Sequence, residues 1–218
     1  MICWEELVGR CLLKTANIYE QQCWSQNKLC LGIDEAGRGP LAGPLVVAGV
    51  VFPIDYDSKE IYDSKKLSEK KREELYCRIV EDALHYEIKV ITPSEIDKLN
   101  IYQATKKAMT DIALGYNVDL VLTDAMPLDI DVETIPLVKG DQKSCSIAAG
   151  SILAKVTRDR LMYEYDKQYP EYGFGKHKGY PTSLHLEALA KYGPTIIHRY
   201  SYAPVKNASQ TKLDLVDE

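Results

Sequence analysis

Residues 43–53, GPLVVAGVVFP, are apolar almost from end to end. A run this short without polar alternation fits a strand covered on both faces, as in a sheet sandwiched between helices. KLCLGID, residues 28–34, reads as a second strand joined to it by a glycine-rich turn. HYEIKVIT at 85–92, VDLVLTD at 118–124 and TIPLVKGD at 134–141 read as three more. Between them lie helical patterns. Residues 4–24 place Leu7, Val8, Cys11, Leu12 and Ile18 at mixed three- and four-residue spacings, and Ser68 caps a helix running to about Leu84. Pro93 opens short helical stretches to about Leu114, residues 143–165 give the strongest helical signal, and a last helix spans 183–192. Strands alternating with helices predict an α/β domain with a central sheet, ending in a helical appendage. The expected organisation is an N-terminal helix within 1–28, one domain over 29–204 and a polar tail over 205–218, with no repeat and no dividing linker.

Composition narrows the function classes. The 218 residues carry a formal charge of −5, so no strongly basic nucleic-acid module is announced, although local patches still bind phosphate under an acidic total. No stretch approaches the ~20 apolar residues of a membrane helix. The N-terminus carries acids where an export signal carries bases. Six cysteines show no C-x-x-C pair, which predicts reduced thiols and a cytoplasmic setting and makes the sequon at Asn207 irrelevant.

Three strand readings end in acid: Asp34–Glu35, Asp124 and Asp141. Ligands of open α/β sheets bind beyond strand ends, and carboxylates gathered there repel one another unless a cation intervenes. Mg²⁺ and Mn²⁺ prefer such oxygen donors. Each acid also has an ordinary reading: a solvated surface pair, a turn former at a strand end, or a charge partner for the helix after Asp141. Spacing alone leaves a hydrolase and a binder level.

Gly37-Arg38-Gly39 places nearly bare backbone beside the first acids, either for close approach by a phosphate or sugar or as a plain tight turn. Lys65, Lys66, Lys70, Lys71 and Arg72 form either a solvated helix face or a phosphate track. KHKGYPT, residues 176–182, joins bases to Tyr180 on a loop suited to phosphate contact and stacking. His177, His185 and His198 lack metal-ligand spacing, which argues against zinc.

GIDEAGRGPLAGPLVVA, DSKKLS, LTDA, VKGD, IAAGSILAKVTRDRLM, YGFGKHKGYPT and HRYSYAP stand in the order seen in ribonuclease HII, which the chain resembles from about Leu29 to Pro204. The resemblance implies a ribonuclease H-like fold: a mixed five-stranded sheet flanked by helices, with a C-terminal helical extension. It implies an endonuclease that cuts the RNA strand of RNA–DNA hybrids and nicks 5′ to single ribonucleotides in duplex DNA, leaving 5′-phosphate and 3′-hydroxyl ends. Asp34, Glu35, Asp124 and Asp141 then form the catalytic and metal site for Mg²⁺ or Mn²⁺, two ions with substrate bound. Gly37, Arg38 and Gly39 read the 2′-hydroxyl, where an added side chain would block the ribose. Tyr180 senses the RNA-to-DNA junction. From the basic stretch, and not from the resemblance, Lys65 is the candidate substrate contact. A monomer is the family expectation.

Asp159, flanked by Arg158 and Arg160, reads as a structural ion pair and not a fifth ligand. Ala125 stands where many relatives have glycine, and Gly150 interrupts an alanine-rich helix, either at a propensity cost or to permit close packing beneath the site. A catalytically silent hybrid binder, a junction resolvase and the sister ribonuclease HIII are the alternatives. The four acids argue against the first, and the glycine and HKGYPT motifs against the second. The short lead before Asp34, together with HKGYPT, argues against the third. KLDLV, residues 212–216, is similar to leucine-rich peptides that dock on the sliding clamp, without their leading glutamine and closing phenylalanine.

Overall fold

The structure, a computed structural model, describes residues 17–62 and 64–214, the last four by backbone alone. Helix α1 spans Ile18–Trp24; the rest of the helix expected from residue 4 lies outside the described residues. Strands β1 (Cys30–Ala36), β2 (Leu45–Val51), β3 (His85–Ile91), β4 (Leu120–Asp124) and β5 (Glu133–Leu137) form one mixed sheet in the order β3-β2-β1-β4-β5. All seven residues of β2 are buried, as its unbroken apolar run requires, whereas β3 at the sheet edge buries only Ile91. β1 pairs in parallel with β4, and β4 in parallel with β5.

Helices α2 (Glu69–Asp82), α3 (Pro93–Leu99), α4 (Ile101–Ala113), α5 (Cys145–Gln168), α6 (Phe174–His177), α7 (Ser183–Tyr192) and α8 (Ala203–Asp214) complete the order. Ser68 caps α2 by accepting from Lys71 N at 3.2 Å, and Thr92 with Glu95 forms a capping box on α3. Helix α8 runs through much of the segment expected to be a polar tail, because Val205 is fully buried in a cluster with Leu41 and Leu189. The peptide 212–216 therefore begins on a helix and ends outside the described residues. Among the described residues no helix is long and apolar enough to cross a membrane.

The chain forms two compact units, each assembled from separated segments. One comprises residues to Glu35, Val47–Lys89 and Lys106–Val156; the other comprises Ala36–Val46, Val90–Thr105 and Thr157 onward. In the first, Gly150 lets α5 close on the sheet: an added Cβ would stand 2.7 Å from Ala48 O and 3.2 Å from Asp34 N. Bare packing beneath the first acid is thus the reason for a glycine within that helix. In the second, Ala42, Met162, Tyr172, Phe174, Ala188 and Ile197 make the core.

Candidate active site

The acids come from three neighbouring pieces of the first unit. The β1–β4 register runs to Ile33↔Thr123, so Asp34 and Asp124 follow at the same end of parallel strands. Asp34 is 5% exposed, and its Oδ1 accepts from Glu35 N at 2.7 Å. Asp124 Oδ1 accepts from Gly140 N at 2.8 Å, tying the strand end to the turn that carries Asp141. The sequence placed Asp141 at a strand end, but β5 stops at Leu137. Lys139, at φ +57°, then turns the chain into a 3₁₀ turn over Gly140–Gln142. Asp141 is buried there, with Lys65 Nζ 3.6 Å from its Oδ2.

Burial raises the Asp34 carboxyl well above the usual carboxylate range, and the charges of Glu35 and Asp124 push it the same way. The Glu35 amide and the Ser151 hydroxyl act in the opposite direction, and Ser151 is held at 2.9 Å by Ser64. The structure thus brings Asp34, Glu35 and Asp124 into mutual repulsion and gives Asp141 a lysine. Among the described residues, no three acid, histidine or cysteine side chains form a ready-made metal cluster. The acids nevertheless fit a hard divalent ion: every side-chain donor is oxygen, and a cation would relieve the burdened Asp34. Mg²⁺ takes few carboxylates and completes its shell from water and phosphate.

Ala125 follows Asp124 at φ +53°, a conformation that suits glycine and strains alanine. A glycine at this position would take that conformation without strain.

In the second unit, Gly37 takes φ +101°, and an added Cβ would lie 2.2 Å from Arg158 Nε. Internal packing on Arg158 thus requires glycine at position 37 whatever the turn binds, a second reason beside the expected access of a ribose. Gly39 faces Tyr180, whose Cε1 would stand 3.4 Å from an added Cβ; the tyrosine itself is 44% exposed. Arg38 is exposed, and its carbonyl accepts from Arg199 Nη1 at 3.0 Å and from the Tyr202 hydroxyl at 2.8 Å.

Arg199, fully buried, also reaches Gly37 O at 2.6 Å and Gly43 O at 2.9 and 3.1 Å. Arg158 donates to Pro44 O at 2.9 Å, Ala42 O at 3.2 Å and Lys178 O at 2.9 Å. Burial, then the charge of Arg199, lowers the Arg158 guanidinium to about 10, so it stays charged at neutral pH. Asp159 favours that charged form, the electrostatic part of the pair expected from sequence. The bracing role of both arginines escaped sequence reasoning, since Arg199 sits in HRYSYAP with no local mark of burial.

A family model described as ribonuclease HII matches residues 31–205. The ribonuclease HII of Bacillus licheniformis is 56% identical over 177 residues, covering 80% of this chain and 69% of its own. An Archaeoglobus fulgidus structure titled as a PCNA–ribonuclease HII complex is similar at 27% identity and TM-score 0.69, covering 85% and 98% of the two chains. The structure of Bst ribonuclease HIII in complex with Mn²⁺ shares the fold at 18% identity and TM-score 0.65, covering 91% and 74%.

Proposed function

The chain belongs to the ribonuclease HII family and is an endoribonuclease acting on RNA–DNA hybrids, and from that premise we propose that Asp34, Glu35, Asp124 and Asp141 hold its divalent cations. The observation that carries this reading is the buried Asp34 carboxyl, destabilised as an anion by Glu35 and Asp124. The Mn²⁺ complex of the ribonuclease HIII of like fold supports it. Mg²⁺ or Mn²⁺, two ions with substrate present, would supply an activated water and a stabilised leaving 3′ oxygen.

The chain's own residues do the rest. Gly140 N and Glu35 N orient the carboxylates of Asp124 and Asp34 before any ion arrives. Lys65, exposed at its tip, is placed to meet a substrate phosphate while screening Asp141. Arg199 fixes the carbonyls of Gly37 and Arg38, so the turn is set in advance for reading a 2′-hydroxyl. The ring of Tyr180 packs on the sugar that follows the ribonucleotide. The 2′-hydroxyl is recognised and is not the nucleophile, so the nick falls 5′ to a single ribonucleotide and leaves 5′-phosphate and 3′-hydroxyl ends, without a cyclic phosphate. The setting is the cytoplasm, which suits the free thiols of Cys23, Cys30, Cys77 and Cys145.

A DNA duplex with one embedded ribonucleotide, offered with Mg²⁺, Mn²⁺ or chelator, tests the reading by mapping of the ends. Incision 5′ to the ribonucleotide with either metal and none in chelator is expected. No incision with either metal would leave a silent hybrid binder, and equal cutting of all-DNA duplex would remove the ribonucleotide specificity. Residues 212–216 are proposed to touch the sliding clamp, in keeping with the archaeal PCNA complex. Because helix α8 occupies 203–214, replacing Leu213 and Leu215 with alanine tests this better than truncation; unchanged clamp affinity would end it.

A further inference from the structure

Three of the chain's four histidines are buried in the second unit, and no role described so far uses them. His177 and His185 stack with centroids 4.6 Å apart, His198 lies 5.3 Å from His185, and Phe174 presents its edge to the stack. A metal centre would need a ring nitrogen to spare. Here every ring nitrogen faces a partner: His177 meets Tyr172 O and Gly179 N, His185 meets Tyr180 O and His198, and His198 meets Thr195 N and His185.

These partners fix the protons one by one. Thr195 N donates to His198 Nδ1 at 2.9 Å, so the His198 proton sits on Nε2. That Nε2 donates to His185 Nε2 at 3.1 Å, which must therefore be the acceptor. The His185 proton then sits on Nδ1 and is donated to Tyr180 O at 3.0 Å. His177 accepts from Gly179 N at 3.2 Å, and its own carbonyl accepts from Tyr180 N at 2.9 Å. The chain from Thr195 to Tyr180 permits a single arrangement of protons when all rings are neutral. Protonating His185 or His198 would set N–H against N–H.

We propose that His185, locked in its Nδ1–H tautomer by His198, is a positioning residue that aims the Tyr180 ring across Gly39 by holding the Tyr180 carbonyl. This rests on the reading of Tyr180 as the residue that senses the RNA-to-DNA junction. The brace acts on a half-exposed ring that Arg158 also approaches, its guanidinium carbon 5.9 Å from the ring centroid. Burial holds both His185 and His198 down at about 4, so the relay is neutral at neutral pH.

Two amide substitutions separate positioning from plain packing, because an asparagine nitrogen overlies the Nδ1 of a histidine and a glutamine nitrogen overlies Nε2. The readout is the ratio of incision rates on a single-ribonucleotide duplex and on a continuous RNA–DNA hybrid. His185→Gln loses the bond to Tyr180, and the ratio falls about five- to tenfold. His185→Asn retains the donor and holds the ratio within about twofold. In a Tyr180→Ala background, His185→Gln brings no further fall.

Equal ratios for the two variants, or a further fall in that background, would overturn the proposal. An unchanged ratio in Tyr180→Ala itself would instead overturn the reading of Tyr180, and this proposal with it. Should the substituted chains fail to fold, ¹⁵N spectra of the wild-type imidazoles decide: His185 as the neutral Nδ1–H form is expected, and the Nε2–H form contradicts the relay.

Discussion

Asp34 and Arg199 are both charged groups taken almost wholly out of water, at 5% and 0% exposure, yet their surroundings differ in kind. Arg199 donates to the carbonyls of Gly37, Arg38 and Gly43. Burial lowers its guanidinium, but Tyr202 pulls the other way and the bonds are in place. Asp34 has the Glu35 amide and Ser151 on its side, against burial and two like charges. A buried charge bonded all round is a brace, because its bonds repay desolvation only in one geometry. A buried charge facing its own kind is poised for a counter-ion. The first unit therefore stores unfavourable electrostatics at the acids, and the second holds a turn and a tyrosine still.

Substitutions that treat the two groups alike should have opposite results. Asp34→Asn is expected to lower incision by on the order of 10³ or more, measured as initial rate on the single-ribonucleotide duplex, while substrate affinity in filter binding is kept. An active variant would contradict the metal role. Arg199→Met leaves several carbonyls without donors and should destabilise by about 3–5 kcal/mol in urea unfolding. A loss under about 1 kcal/mol would mean the turn does not depend on it.

Two smaller changes sharpen the same contrast beside the acids. Gly150→Ala improves helix propensity yet drives a methyl toward Ala48 O and Asp34 N, for a net loss of about 1–2 kcal/mol. Ala125→Gly relieves a left-handed alanine, and a gain of about 0.5 kcal/mol in the same unfolding assay is expected.

Much of this was legible in the residues. The unbroken apolar run of β2, the cap at Ser68 and the long helix from Cys145 follow from local pattern. The four acids stood out by motif, and the parallel register explains why Asp34 and Asp124 emerge together. Asp141 was misplaced by four residues because Lys139 in a left-handed conformation carries no sequence mark. At position 37 the sequence suggested only the substrate reason for a glycine, since a buried arginine 121 positions later that fills the adjoining space leaves no local mark. Arg199 and the histidine relay stayed hidden for one physical reason. Burial of a polar side chain depends on carbonyls and rings brought in by distant segments, and no local periodicity reports them.

The central claim concerns Asp34, and thermal unfolding of wild type and Asp34→Asn across pH 4–8, with and without Mn²⁺, tests it most directly. The folded carboxyl titrates higher than the unfolded one, so the native state binds the extra proton and Asp34's own contribution to stability falls as pH rises through that interval, read as the difference from Asp34→Asn because the lowered His185 and His198 act on both proteins alike. In metal-free buffer Asp34→Asn should then melt above wild type at neutral pH, and the gap should close toward pH 4 as Asp34 becomes neutral. Mn²⁺ should raise the wild-type transition and leave that of the variant nearly unmoved. A wild type more stable than the variant without metal, or equal stabilisation of both by Mn²⁺, would contradict the account.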